Sequence, residues 1–322
     1  MSKREHDQTV ASRRSIVSTM DRPWYRCACR LLDKHNLHGQ ICLDLCCGNA
    51  EFSQILRNDY GMRVTCADYA SLHLDHAAKS GFDTIRVDLD AESAVVDVLA
   101  MEYTERFDII VSLATIEHVF ASDSFLRFCW NVLKPSGYLL LNTPNISFAG
   151  YRLYSIFSGN RPFGEGHHVR FWDLRFLRTN LFLNGLDLID NGSRFYGVSP
   201  ELLMRAFRGK RRLASLMAPL FGICAVLQHL PGGKSWFADE LTVLAKKEDT
   251  YPIGFQYTHV EADLERTRGN RAERQGRLRL KEALRRGWLR EHPMLAGIAA
   301  GAINDPESST GSKNNEPHQA IT

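Results

Sequence analysis

Long uninterrupted apolar stretches are missing from this 322-residue chain. The best candidate, Leu213 to Leu230, is broken by Ser215, Pro219, Gln228 and His229, so a membrane span is not expected. An apolar core is also missing from the opening "MSKREHDQTVASRRS", which does not fit a secretory leader. The expectation is a cytoplasmic, reducing setting in which the eight cysteines are free thiols. Common zinc spacings are missing too, since Cys27-x-Cys29 with Cys46-Cys47 matches none of them. Charge of one sign is scarcely in excess: a formal +3 is too little to argue for nucleic acid, and no such partner is expected. Internal repeats are absent. Glycine is scarce where it would be most useful. The stretch "LDLCCGNAEFS", Leu43 to Ser53, looks like a strand, a small-residue turn and a helix start, yet only Gly48 stands in the turn.

The chain does have rhythm. Pro23 opens a helical pattern, "PWYRCACRLLDKHN", with proline near the first turn. From Ile41 onward, short apolar runs ("ICLDL", "MRVTCAD", "DTIRVDL", "FDIIVSL", "GYLLLNT") alternate with amphipathic stretches of crossover length. That alternation predicts a parallel sheet covered by helices on both faces. Right-handed crossovers then gather the carboxyl ends of the strands on one edge, where ligands of such sheets bind. After Asn142 the rhythm loosens into "TPNISFAGYRLYSIFSGNRPFGEGHHVRFW", read as a functional loop or small insertion because its aromatics need a packing site. Asp173 is placed to cap a helix, "LRFLRTNLFLN", that stops at Gly185. "LDLID" and "ELTVLAK" read as two last strands, with a helical insertion between them. The expected organisation is a polar, unstructured 1–22, a main domain over 23–250 with insertions at about 144–172 and 198–236, a basic helical extension over 251–303, and a polar tail over 304–322.

Chemistry-bearing residues fall at the predicted strand ends. The small residues Cys46, Cys47, Gly48, Asn49 and Ala50 would let backbone amides approach a ligand beside a helix N-terminus. Asp68 follows the second strand, where a carboxylate can accept two hydrogen bonds from a ribose diol. Asp88 follows the third, as an acceptor suited to an amino-bearing purine edge. Glu117 and His118 follow the fourth. A dinucleotide fingerprint needs G-x-G-x-x-G, whereas Cys-x-Gly-x-Ala stands here and suits neither the tight turn nor a pyrophosphate.

This constellation resembles the class I S-adenosylmethionine-dependent methyltransferases. "LDLCCGNAEFS" is similar to their first motif, LDLGCGxGxxS, and "FDIIVSLATIEHV" to their fourth-strand motif. "FLRFCWNVLKPSGYLLLNTPN" resembles their LKPGG helix and fifth strand. "HHVRFWDLRFLRTNLFLNGLDLID" resembles the later helix and sixth strand. The resemblance covers about Ile41 to Lys247. It implies an α/β fold with a Rossmann-like sheet, mostly parallel with an antiparallel last strand, helices on both faces and a helical cap insertion. It implies S-adenosyl-L-methionine as cofactor and S-adenosyl-L-homocysteine as product. Asp44 and the backbone of Cys46 to Ala50 would hold the methionine part, Asp68 the ribose hydroxyls, Asp88 and the backbone of Leu89 the adenine, and Leu113 would line the pocket. The sequence departs from the family at Cys46 and Ala50, where glycine is usual. If Cys46 is left-handed, its Cβ costs roughly 1–2 kcal/mol, or about ten- to thirtyfold if expressed in affinity.

For the reaction, the candidates are Glu117, His118 and His168, with His167 a weaker match for the last. "IEH", then "TPN", then "HHVRFW" resembles the metal-bearing layout of small-RNA 2'-O-methyltransferases and some ubiquinone-pathway O-methyltransferases. Ala114 stands where the RNA enzymes carry another glutamate, so a metal is disfavoured. No NPPY-type segment follows the fourth strand, which points to an oxygen or simple amine acceptor. The expected activity is methylation, at oxygen, of a small or lipid-linked acceptor. The alternatives are a non-catalytic cofactor-binding or scaffold protein, in which Cys46 and Ala50 mark decay, and an RNA-directed metal-assisted O-methyltransferase. Arg208 to Leu230 puts a basic cluster before an apolar run. It reads first as a cap helix pair on the sheet edge, and second as a helix lying on anionic lipid at the inner membrane surface.

Overall fold

The computed structural model describes residues 22–91, 93–159, 168–195, 219 and 222–248. The expected terminal segments, the extension over 251–303, His167 and most of the 198–236 insertion lie outside the described residues.

Helix α1 (Pro23–Lys34) starts at its proline and buries Tyr25, Ala28, Leu31 and Leu32, a helical stripe turned to the sheet. The alternating pattern then yields β1 (Ile41–Leu45), α2 (Glu51–Asn58), β2 (Arg63–Asp68), α3 (Ser71–Lys79), β3 (Asp83–Arg86), α4 (Ser93–Glu102), β4 (Phe107–Leu113), α5 (Ser122–Val132) and β5 (Leu133–Pro144). There follow α6 (Ala149–Ser158), α7 (Leu174–Leu183), β6 (Leu186–Asn191), α8 (Gly233–Phe237) and β7 (Glu240–Lys247). The seven strands order as β3-β2-β1-β4-β5-β7-β6. The pairs β1–β2, β1–β4, β2–β3 and β4–β5 are parallel, and β7 runs antiparallel to both β5 and β6. The mostly parallel sheet with its antiparallel last strand is therefore as expected.

The strands are apolar on both faces because helices cover both. Leu43, Ile110, Leu139 and Leu141 pack on one side with Phe125, Leu126, Leu177 and Leu181. Cys42, Ile109, Val111 and Leu140 pack on the other with Leu31, Leu32 and Leu56. Neighbours along a strand thus serve opposite layers, as the two-residue period requires. Strand order reverses between β1 and β4, so a crevice opens at their carboxyl ends. Asp173 caps α7 as read, its side chain accepting from the Phe176 amide at 2.8 Å, and Gly185 follows with φ +76°. All eight cysteines are free thiols.

One region is more regular than the sequence reading stated. The stretch after Asn142, read as a functional loop or small insertion, contains the ten-residue α6. Its start, Phe148, is fully buried with Phe195 and Cys224, and Tyr151 and Phe237 pack against them. Most of the glycine and proline content, Gly159, Pro162, Gly164 and Gly166, lies to the C-terminal side of this helix in the sequence, which is why composition averaged over the segment hid it. Asn145 ties the same region down: its amide donates to the Ser235 and Ala238 carbonyls at 3.0 and 2.8 Å. No described helix is long and apolar enough to cross a membrane.

Candidate functional site

The turn after β1 is built on left-handed backbone. Cys46, Gly48 and Ala50 have φ of +64°, +53° and +56°. Glycine adopts this freely, whereas each of the other two carries a Cβ penalty of roughly 1–2 kcal/mol. The costly branch of the Cys46 expectation is therefore the one realised. The surroundings hold the strained turn in place. Cys46 and Cys47 both donate their amides to the Ala67 carbonyl, at 2.7 and 3.0 Å, and the Ala50 amide reaches the Cys47 carbonyl at 2.9 Å. Nothing lies within 4 Å of where a Cβ on Gly48 would stand, so the turn leaves open space above it.

The acids stand at successive strand ends, in space as in sequence. Asp68, ending β2, is buried. It accepts from the Gly48 amide at 3.1 Å and the Ala70 amide at 2.9 Å, and lies 3.2 Å from His73 Nδ1. One carboxylate thus locks the turn after β1 to the end of β2. Asp44 is buried within β1 and accepts from the Ser53 hydroxyl at 2.5 Å. Burial, with a smaller push from Asp68 and an opposing pull from Ser53, raises its carboxyl to about 7. Asp88 and Leu89 follow β3, with Leu89 buried and Asp88 accepting from the Asp90 amide at 3.3 Å. Leu113 ends β4, half-buried at the strand crossover. The structure thus brings Asp44, the turn from Cys46 to Ala50, Asp68, Asp88, Leu89 and Leu113 to one edge of four adjacent strands. An open space over glycine with a carboxylate at each neighbouring strand end fits a nucleoside-bearing cofactor.

The second group lies beyond β4. Ala114 is left-handed (φ +53°) and turns the chain, and its amide is held by the Asn142 carbonyl at 3.1 Å. Glu117 is buried, with Oε2 lacking a hydrogen-bond partner. Burial raises its carboxyl to about 7, against opposing contributions from a backbone amide and the Thr143 hydroxyl. The Glu117 carbonyl accepts from the Val169 and Arg170 amides at 2.9 and 3.1 Å, and this brings the distant histidine in. His118 and His168 meet edge to face with ring centroids 4.8 Å apart, and His118 Nε2 is 4.0 Å from Glu117 Oε1. One ligand-capable atom from each of Glu117, His118 and His168 lies within 4.8 Å of the others, a donor set that also suits a divalent cation.

Sequence reasoning missed four participants. Ser53, the last letter of the turn motif, holds Asp44. His73 faces Asp68 from the first turn of α3. Asp90 accepts from the Phe120 and Ala121 amides at 2.8 and 3.2 Å, joining the loop after β3 to the one after β4. Glu240, at the start of β7, accepts from the Asn142 amide at 3.2 Å, and burial holds its carboxyl well above the usual range, with Asp239 and Glu117 adding to the rise. The signal for Ser53 was in the motif itself; the other three depend on which loops become neighbours.

A family model described as "Methyltransferase domain" matches residues 19–191. Among curated proteins, the chain is 30% identical to a ubiquinone biosynthesis O-methyltransferase of Pseudomonas entomophila over 125 residues, covering 38% of this chain and 51% of that one. It is 33% identical to the protein of that name from Xanthomonas oryzae pv. oryzae over 119 residues, covering 37% and 48%. The chain thus spans about half the length of the curated relatives it matches. A chain in the solved complex between the Haloferax volcanii Trm112 methyltransferase activator and a methyltransferase shares the fold, with TM-score 0.53 at 13% identity over 77% of this chain and 98% of that one.

Proposed function

The chain belongs to the S-adenosylmethionine-dependent methyltransferase family, and from that premise we propose that it methylates an oxygen of a small or lipid-linked acceptor. The observation that carries this reading is the grouping of Glu117, His118 and His168 beyond the crevice at the strand crossover. Bound S-adenosylmethionine supplies an electrophilic methyl group on a sulfonium. The turn from Cys46 to Ala50, with Asp44, Asp68, Asp88, Leu89 and Leu113, positions the donor for in-line transfer. His118 or His168 takes the acceptor hydroxyl's proton at a ring nitrogen, and the Glu117 carboxyl beside His118 stabilises the imidazolium that results. The names of the curated relatives support oxygen as the acceptor atom.

The test is turnover of S-adenosylmethionine against phenolic and lipid-linked hydroxyl acceptors, with the product bond identified by mass spectrometry. A methyl ether is expected, with a loss of at least about a hundredfold in kcat for His118→Ala or for His168→Ala, whichever ring is the base, and unchanged S-adenosylhomocysteine affinity. Full activity in His168→Ala would remove that residue as the base; a methylated nitrogen or carbon, or full activity in both variants, would sink the reading. Because the same three side chains suit a divalent cation, a second reading is metal assistance. Loss of activity in chelator, restored by added metal, selects that one; the base reading expects no effect.

A further inference from the structure

The carboxyl edge of the sheet carries a group of acceptor oxygens around the end of β5, beside Glu117. Leu113, ending β4, pairs with Asn142 of β5, and Pro144, ending β5, pairs with Glu240 of β7. Because β7 runs antiparallel, its first residue stands at the same edge as the ends of β4 and β5. Glu117 arrives from the loop after β4, and the Thr143 hydroxyl lies near its carboxyl. Glu240 lies against the preceding strand residue, its Oε2 accepting from Asn142 Nδ2 at 3.2 Å. Consecutive strand residues face opposite layers, so the two acids flank the end of β5 from its two sides. The negative charge of Glu117 still reaches Glu240.

What this group lacks is donors. Glu117 Oε2, Asn142 Oδ1 and the Thr143 hydroxyl are each buried without a hydrogen-bond partner, which is costly until a partner arrives. The Asn142 amide nitrogen is already shared among Glu240 Oε2, the Leu241 carbonyl and Thr242 Oγ1, at 3.2, 3.1 and 3.1 Å. Among the described residues no lysine or arginine makes an ion pair with Glu117 or Glu240. Arg194 bridges Glu240 through its backbone, but its side chain is exposed and its charge acts on Lys234. The charges acting on Glu240 are both negative, those of Asp239 and Glu117. Tyr151 of α6 stands in the same field, its ring edge to face with Phe148 at 5.0 Å. A hydroxyl brings one donor and no charge, whereas an ammonium brings three donors, no acceptor and the missing positive charge. Carboxylates with an aromatic ring beside them are the partners such a cation takes. Glu240 keeps part of its surface exposed, so it can be reached. We propose that Glu117 and Glu240 form, over the end of β5, a subsite for a protonated amine, so that the methylated acceptor is an amino-bearing alcohol or phenol. This rests on the oxygen-methylation reading for the place of the acceptor and adds the group that holds it. Glu117 then serves through both oxygens, Oε1 beside His118 and Oε2 towards the ammonium, and Glu240 determines specificity.

The test is calorimetry on the full-length chain saturated with S-adenosylhomocysteine, titrated at neutral pH with 2-phenylethylammonium or with its neutral counterpart, 2-phenylethanol. The ammonium is expected to bind at least about tenfold more tightly. Glu240→Gln keeps the side chain's shape and an acceptor for Asn142 while removing the charge. It is expected to lower the ammonium affinity about tenfold and to leave the affinities for the alcohol and for S-adenosylhomocysteine unchanged. Thermal unfolding checks that the variant is folded; should it fail, the parent's preference between the two probes decides alone. The proposal is overturned if the parent binds both probes equally, if it binds no ammonium below about 10 mM, or if folded Glu240→Gln keeps the parent's preference. Binding is read without turnover, so this result is independent of the oxygen reading, which the product bond decides.

Discussion

Asp44 sits where a charge is costly. Its carboxyl is buried in β1 and pushed up to about 7, roughly three units above an unfolded aspartate. Between about pH 4 and pH 7 the folded state therefore binds more protons at this group than the unfolded state does. Stability from this group is fully present at low pH and is lost as pH rises towards 7. Asp44→Asn keeps the acceptor for Ser53 and removes the charge. It should raise the unfolding midpoint at pH 8 by several degrees, on the order of 2 kcal/mol, and leave it nearly unchanged at pH 4. Thermal scans at the two pH values check this; equal shifts at both would show that burial does not set the proton affinity. The motif "LDLCCGNAEFS" placed Asp44 in a strand and Cys46 in a turn. It did not fix the backbone of Cys46, because that φ is held by the Ala67 carbonyl of the neighbouring strand.

Between elements, Asp90 does what α5 does not do for itself. The cap position of α5, Ala121, has no side-chain bond to offer. Asp90, exposed in the loop after β3, accepts from the Phe120 and Ala121 amides instead. Arg170 donates to the Phe120 carbonyl at 2.6 Å, so three separate segments meet at this helix start. Asp90→Ala should cost about 1 kcal/mol, in the range of a lost helix cap. It should also weaken S-adenosylhomocysteine binding a few-fold, because Asp88 and Leu89 share its loop. Calorimetry and thermal unfolding read the two effects, and an unchanged unfolding midpoint would show that the bond contributes nothing. Strand and helix periodicity foretold the elements apart from α6 and put the site acids at or just past strand ends, although β3 closes at Arg86, two residues before Asp88. It could not foretell Asp90 or Glu240, whose partners lie 30 and 98 residues away and are chosen by strand order.

At the scale of the molecule, the family match and the folding unit do not coincide. The match ends at residue 191, which is also the end of β6. Strand β7 arrives 49 residues later and inserts between β5 and β6, pairing with Tyr138–Pro144 on one side and Leu186–Asn191 on the other. Leu241, Val243, Leu244 and Ala245 are fully buried there. Its last residue, Lys247, is buried too, donating to the Leu133 carbonyl at 2.6 Å with its ammonium 4.2 Å from the Trp130 ring. The Glu248 amide then reaches the Gly185 carbonyl at 2.8 Å. A chain lacking β7 leaves two unpaired strand edges and an open apolar layer, the condition for aggregation. The segment between β6 and β7 is therefore a detour closed by the final strand. Truncation after Ala238 should give protein with no cooperative unfolding transition. Truncation after Thr250 should keep the parent's midpoint within a few degrees and its S-adenosylhomocysteine affinity. A cooperative 1–238 protein would show that the sheet closes without β7; an unfolded 1–250 protein would place part of the fold's stability beyond Thr250.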